Sequence, residues 1–137
     1  MEKLQPKLFV LTLILCASFT LYCGGTRQLQ SITLSPASAD ARNYSNGQVQ
    51  FTATGHYNMS PGAVTPQSAE WGTCYQNMPT QAVSVTSAGL AQCGSGAVGN
   101  YTVFASDLVS SGSSCTVVTA CGGGCSIVQG TAQLTCP

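Results

Sequence analysis

The sequence predicts an all-β domain built as a sandwich of about seven strands, and three observations support this. In residues 47–57 small or apolar residues alternate with polar ones, so Val49 and Phe51 share one face of a strand. Further short strands follow, separated by turns rich in Gly, Pro and Ser. No helical period occurs after the N-terminal apolar segment. A strand with one apolar face needs a second sheet to cover it, which predicts two layers.

Length and charge narrow the class of protein. The chain has 137 residues, which is enough for one hydrophobic core. Four basic and four acidic residues give a net charge of zero, so solubility depends on neutral polar side chains. Because the charges are few and scattered, we expect no nucleic-acid partner.

Residues 1–22 have the layout of a signal peptide. Lys3 and Lys7 precede an apolar run over residues 8–22, which matches a basic start followed by an apolar centre. The run is shorter than the roughly 20 residues that a membrane-spanning helix needs. We therefore expect export and removal of this segment.

Cys23 follows directly, and the junction resembles the cleavage site of bacterial lipoproteins. The resemblance implies a lipid on Cys23 and a short linker over residues 23–30. Tyr22 stands where that family usually has a small residue, and ordinary secretion is the alternative. Cysteine parity favours the lipid: of eight cysteines, Cys16 lies in the apolar segment, and lipidation of Cys23 leaves six, an even number suited to disulfides.

The domain is predicted to span residues 31–137. A first strand over residues 31–36 ends, or lies at an edge, because Pro36 cannot donate to a ladder. Residues 58–66 are predicted to be a loop and residues 87–91 a turn. Besides the central strand, strands are expected at residues 69–75, 82–86, 101–106 and 130–136. Both faces of residues 101–106 are partly apolar, which favours an interior strand. The predicted core anchors are Phe51, Trp71 and Tyr101.

Six stretches in this order resemble the bacterial immunoglobulin-like domains of group 2, which occur in surface and secreted bacterial proteins. They are residues 29–36, 47–55, 69–71, 83–91, 99–103 and 130–134. The resemblance implies an immunoglobulin-like sandwich with Trp71 on its third strand. It also implies a bacterial surface module. The chain departs from the family between its last two strands, where residues 107–129 form a Cys-rich insertion of the kind that carries binding specificity in loops.

Six cysteines are candidates for disulfides, namely Cys74, Cys93, Cys115, Cys121, Cys125 and Cys136. The sequence leaves every connectivity open. By proximity along the chain the expected pairs are Cys74–Cys93, Cys115–Cys136 and Cys121–Cys125. A metal site is the rival, but the spacing is not the paired Cys-x-x-Cys of zinc ribbons, and an exported protein oxidises its thiols. We expect no metal and no cofactor.

Residues that carry catalysis in other proteins are few in this sequence. His56 is the only histidine, has no acidic residue or cysteine near it in sequence, and is expected to be a partly exposed structural residue. The glycine run at 94–99 matches a dinucleotide-binding pattern but precedes a strand, which favours a loop. Asp40, Glu70 and Asp107 would form a glycosidase pair only if the fold brought two of them together.

These observations predict a non-catalytic module of the bacterial envelope, structural or adhesive, attached to the membrane through Cys23. The alternative is a glycan- or protein-binding module that uses the insertion at 107–129. A small secreted enzyme is the second alternative. The aromatic side chains open to glycan contact are Tyr44, Tyr57, Trp71 and Tyr75.

Overall fold

The computed structural model describes residues 25–107, 121 and 128–137. Its regular elements are strands, apart from single turns of 3-10 helix at Ala41–Asn43 and Ser45–Gly47. The strands are, in chain order, β1 Leu29–Ser35, β2 Ser38–Asp40, β3 Gln48–Gln50, β4 Thr52–Tyr57, β5 Ala63–Val64, β6 Glu70–Tyr75, β7 Met78–Pro79, β8 Val83–Val85, β9 Leu90–Cys93, β10 Gly99–Asp107 and β11 Val128–Cys136. The predicted all-β class is confirmed.

These strands form two layers. In the first layer β1 pairs with β4 and β4 with β5, while β3 pairs with β9 and β9 with β8. β3 and β4 are one run of chain interrupted only at Phe51, whose N–H donates to the carbonyl of Gly89. The second layer has the order β2-β11-β10-β6-β7. β10 is therefore an interior strand, as its two apolar faces predict, and the arrangement is a β-sandwich.

One end of the sandwich receives the chain from the N-terminus, and we call it the N-terminal end. In the first layer Leu29 at the start of β1 pairs with Tyr57 at the end of β4. In the second layer Asp107 at the end of β10 pairs with Val128 at the start of β11. The insertion therefore leaves and re-enters the sandwich at this end.

The opposite end is called the distal end. Gly99 pairs there with Cys136, the last residue of β11. β2 runs parallel to β11. The N–H of Gln133 on β11 donates to the carbonyl of Ala37, just beyond β1, so β1 ends beside the distal half of β11. β1, β2 and β11 thus all run from the N-terminal end towards the distal end.

The core lies between the layers and is filled by alternate residues of the strands. Val49, Phe51 and Ala53 are buried, which confirms the period-2 prediction for the central run. Tyr101 on β10 is buried in the same cluster. Burying a side chain the size of Phe51 contributes about 2–3 kcal/mol. Trp71 packs against this core but is only half-buried, so it closes the core at one side and is not its centre.

A second, smaller cluster lies on the outer face of the second layer. Phe104 and Cys74 are buried there, and Cys121 from the insertion packs against them. Phe104 points outward because its neighbour Val103 points into the main core. Its ring lies over Gly72, its partner across the β10–β6 pair, and a Cβ on Gly72 would collide with that ring. The ring of Phe104 therefore fills the space that a side chain at position 72 would need.

Several elements differ from the prediction, among them β5, which lies within the predicted loop at residues 58–66, and the two-residue β7, which was not predicted. β9 starts at Leu90, inside the predicted turn, because the chain reverses early: Gly89 has a φ of +81° and its N–H closes the turn on the Thr86 carbonyl. β2 was not expected, since Ser38–Asp40 has no alternation and pairs with β11 through its backbone. β1 begins at Leu29, within the predicted linker. The described residues contain no helix with the length and apolar character needed to cross a membrane.

Candidate functional site

Two disulfides cross-link the described residues. Cys74 is bonded to Cys121 with Cα atoms 5.7 Å apart, and Cys93 is bonded to Cys136 with Cα atoms 5.9 Å apart. The predicted pair Cys74–Cys93 is therefore wrong. Proximity along the chain misled because the fold brings together segments 47 and 43 residues apart, one pair across the two layers and the other on the outer face of the second layer.

The other two predicted pairs are excluded by the same bonds, since Cys136 and Cys121 already have partners. Cys115 and Cys125 lie outside the described residues, and so does the lipidation candidate Cys23. Two formed disulfides indicate an oxidising, extracytoplasmic environment.

The two disulfides have different positions in the sandwich. Cys93 ends β9 in the first layer and Cys136 ends β11 in the second, so their bond joins the layers at the distal end. Cys74 lies on the outer face of the second layer, and its bond holds Cys121 against that face. The sulfur of Cys121 also lies 3.8 Å from the carbonyl oxygen of Thr73.

The segment before β1 is held on the hairpin between β4 and β5. The guanidinium carbon of Arg27 lies 3.6 Å from the ring centroid of Tyr57, a cation–π contact. Nη2 of Arg27 donates to the carbonyl of Pro61 at 2.8 Å. Arg27 thus spans from the end of β4 to the hairpin loop.

Two further contacts hold the same segment. The N–H of Gln28 donates to Oδ1 of Asn58 at 2.8 Å, and the N–H of Asn58 donates back to the carbonyl of Gln28 at 3.1 Å. A Cβ built on Gly25 would lie 2.8 Å from the methyl carbon of Met59, so the backbone there touches the hairpin loop. The predicted linker is therefore part of the folded domain from Gly25 onward. No sequence pattern signals these contacts, because they depend on the register of β1 with β4.

Among the described residues, most of the exposed large apolar side chains lie at the distal end, and Met59 is the exception. Met78 and Val98 are each 64% exposed, and Tyr75 is 39% exposed. Tyr75 pairs with Met78 across a two-residue turn, and its ring centroid lies 5.1 Å from that of Tyr101. Tyr44 is exposed at the same end, just before β3. Of the glycan-contact candidates, Tyr44 and Tyr75 are thus at the distal end, away from Trp71.

A groove of about 540 Å³ opens beside Trp71. It is bounded by the β3–β4 junction, residues 66–68 and the turn before β9, and the described residues that line it include no charged side chain. Gln50 is held in its wall, because its Nε2 donates to the carbonyls of Phe51 at 2.8 Å and Ala88 at 2.7 Å. An indole beside amides and hydroxyls suits a neutral, hydroxyl-rich ligand such as a saccharide.

Of the other candidate residues, the fold brings Glu70 and Asp107 to one cavity, whereas His56 lies apart from them on β4. Nε2 of His56 lies 3.0 Å from Oγ1 of Thr33 in the first layer. Glu70 and Asp107 line a shallow cavity of about 210 Å³ in the second layer, where Oδ2 of Asp107 is 3.5 Å from Nε2 of Gln67. Within residues 25–107, 121 and 128–137 no three His, Cys, Asp or Glu side chains are grouped so as to hold a metal ion.

Asp40 and the glycine run at 94–99 have structural roles. Asp40 caps the first 3-10 turn: Oδ1 accepts from the N–H of Arg42 at 3.0 Å, and Oδ2 accepts from its Nη2 at 2.7 Å. These hydrogen bonds from Arg42 hold the pKa of the Asp40 carboxyl below its ordinary value. The glycine run forms a turn closed by the N–H of Ala97 on the carbonyl of Gly94, and it leads into β10 without a helix.

No protein-family model matches the chain, and a search of curated proteins finds no match. The resemblance to the group 2 bacterial immunoglobulin-like domains therefore stays a prediction from sequence.

Proposed function

We propose that this protein is a non-catalytic module of the bacterial cell envelope, exported and attached to the membrane by a lipid on Cys23, with a structural or adhesive role. The observation that carries the proposal is the difference between the two ends of the sandwich. The chain enters at the N-terminal end, whereas Tyr75, Met78 and Val98 are exposed at the distal end. A contiguous exposed apolar patch marks an interaction surface, and Tyr75 and Met78 are adjacent across their turn. An anchored domain presents this end to a partner.

The topology supports an immunoglobulin-like identity for the sandwich. If β3 and β4 are counted as one strand, the first layer has the order β1, β3–β4, β9, β8. The second layer contains β11, β10 and β6 side by side. These correspond to the four-stranded and three-stranded sheets of immunoglobulin-like folds. Trp71 lies on β6, the third long strand, where that family has its tryptophan. A bacterial surface role follows from this likeness only by analogy.

Intact mass tests the anchor and the redox state together. The protein is purified from its native membranes and weighed before and after reduction and alkylation. We expect a mass that begins at Cys23 and includes acyl chains, with thiols that alkylate only after reduction. The Cys23→Ser variant should lose the acyl mass and leave the membrane fraction. A lipid-free chain that starts upstream of Cys23, or thiols that alkylate without reduction, would contradict the proposal.

A second candidate is a glycan-binding module, and the groove beside Trp71 favours it. The sequence places such binding in the insertion at 107–129, most of which lies outside the described residues, whereas the groove is fully described. Co-sedimentation with insoluble peptidoglycan, chitin and cellulose tests it. Binding should be lost in Trp71→Ala and retained in Tyr75→Ala, a matched aromatic change at the distal end. If the wild-type protein binds none of the three polymers, it is not a binding module for peptidoglycan, chitin or cellulose.

A further inference from the structure

We propose that the loop of the β4–β5 hairpin, residues 58–62, lies against the membrane surface together with Arg27 when the protein is anchored. We call residues 58–62 the hairpin tip. The inference rests on the proposed lipid on Cys23, and it names the face of the domain that meets the bilayer.

The first step is the reach of the anchor. Cys23 is two residues before Gly25, so their Cα atoms are at most about 7 Å apart. Gly25 in turn touches Met59, since a Cβ built on it would lie 2.8 Å from the Met59 methyl carbon. Acyl chains attached to Cys23 therefore enter the bilayer within roughly 10 Å of the hairpin tip.

The second step is the rigidity of that connection. Arg27 stacks on Tyr57 at 3.6 Å and donates to the carbonyl of Pro61 at 2.8 Å. Gln28 and Asn58 exchange two hydrogen bonds, at 2.8 and 3.1 Å. Residues 25–28 are thus fixed to the domain, so an anchor on Cys23, two residues before Gly25, keeps this face of the domain close to the bilayer.

The third step is the chemistry of the surface. Met59 is 39% exposed, and its neighbours Ser60 and Pro61 are exposed as well. Residues 25–28 and the hairpin tip contain no carboxylate and one cation, Arg27. An apolar side chain beside a guanidinium suits the boundary between acyl chains and anionic headgroups.

The remaining charges at the N-terminal end favour the same orientation. Glu70 and Asp107 lie at this end but belong to the second layer, on β6 and β10. Headgroup phosphates repel these carboxylates, so the bilayer meets the first layer at the hairpin tip. The distal end then stands away from the membrane by about the length of the nine-residue β10, roughly 30 Å.

Fluorescence quenching by brominated lipids tests this orientation. In a Trp71→Phe background, a single tryptophan is introduced by Met59→Trp at the hairpin tip or by Val98→Trp at the distal end, two exposed apolar positions. The acylated proteins are placed in vesicles of phosphatidylcholine and phosphatidylglycerol with and without brominated acyl chains. Because interfacial apolar groups are buried roughly 5–10 Å, we expect the M59W protein to lose about half of its emission and the V98W protein to be unchanged.

A longer tether provides the control. A flexible spacer of Gly and Ser residues inserted between positions 24 and 25 should reduce the quenching of the M59W protein, because the acyl chains then no longer fix the hairpin tip. Full emission from an acylated M59W protein, or equal quenching at both positions, would overturn this inference and leave the lipid anchor intact. An intact mass without acyl chains would overturn both proposals.

Discussion

The disulfide between Cys93, the last residue of β9, and Cys136, the last residue of β11, joins the two layers, with Cα atoms 5.9 Å apart. Cys136 is buried, and the bond closes the distal end of the core. A cross-link between residues 43 apart in sequence restricts the unfolded chain, which contributes about 4 kcal/mol in a chain-entropy estimate.

Removal of this disulfide should therefore lower the free energy of unfolding. We expect the double variant Cys93→Ser, Cys136→Ser to lose about 3–5 kcal/mol of unfolding free energy, measured by urea denaturation. The matched variant Cys74→Ser, Cys121→Ser opens a link of similar length, 47 residues, outside the main core. It should lower stability by a similar entropic amount while keeping the packing of Trp71, seen as an unchanged emission maximum. A loss below about 1 kcal/mol for the first variant would contradict the prediction.

Gly72 should not accept a side chain. The Gly72→Ala change places a Cβ in the ring of Phe104, which is fully buried, and should destabilise the protein by about 1–3 kcal/mol. Gly62→Ala is the control, because no atom lies within 4 Å of a Cβ there, and its effect should stay within about 0.5 kcal/mol. Adding Phe104→Leu to Gly72→Ala should recover part of the loss. Equal stability of the two single variants would show that the contact does not matter.

A side chain at position 89 would add both backbone strain and a steric clash. The φ of Gly89 is +81°, and a Cβ would meet the carbonyl oxygen of Phe51 and lie 2.8 Å from the indole of Trp71. Gly96, with a φ of +91°, has nothing within 4 Å, so Gly96→Ala carries only the backbone strain of about 1–2 kcal/mol. Gly89→Ala should cost at least about 2 kcal/mol more and shift the tryptophan emission. Similar losses for the two variants in thermal unfolding would contradict the packing described.

Asp40 should give the stability a pH dependence. Hydrogen bonds from Arg42 lower the pKa of its carboxyl in the folded state, so the stabilisation is present above the unfolded pKa and is lost as the pH falls through the folded pKa. Asp40→Asn keeps a capping oxygen but removes the charge. We expect this variant to be less stable than the wild type at pH 7, and the difference to shrink at acid pH, below the unfolded pKa. A difference that is constant across urea titrations at both pH values would contradict this origin.

The insertion should be separable from the fold. Replacing residues 108–127 with a short Gly-Ser link removes Cys121, so Cys74→Ser is needed to avoid a lone thiol and Phe104→Thr to avoid an exposed ring. This variant should unfold cooperatively and run as the same species as the wild type in gel filtration. Restoring Phe104 alone should promote self-association, because an aromatic ring on the outer face then meets water. If the variant that combines the replacement of residues 108–127 with Cys74→Ser and Phe104→Thr no longer unfolds cooperatively, the insertion is part of the folding unit.

The sequence predicts the core far better than it predicts the surfaces. Alternation in residues 47–57 places Val49 and Phe51 correctly, because one buried face imposes a period of two on local sequence. The partners of Cys74 and Cys93 depend on which strands become neighbours, and nothing in local sequence carries that information. The stacking of Arg27 on Tyr57 likewise requires the register of β1 with β4.

The directions of the strands also determine how the domain responds to force. β1, β2 and β11 run from the N-terminal end to the distal end, with β2 and β11 bonded in parallel. A pull between an anchored N-terminus and a partner held at the distal end acts along these strands and loads their hydrogen bonds together in shear, instead of opening them one after another. The Cys93–Cys136 bond passes the tension from β11 into the opposite layer. The domain should therefore resist extension along the axis that joins its N-terminal and distal ends.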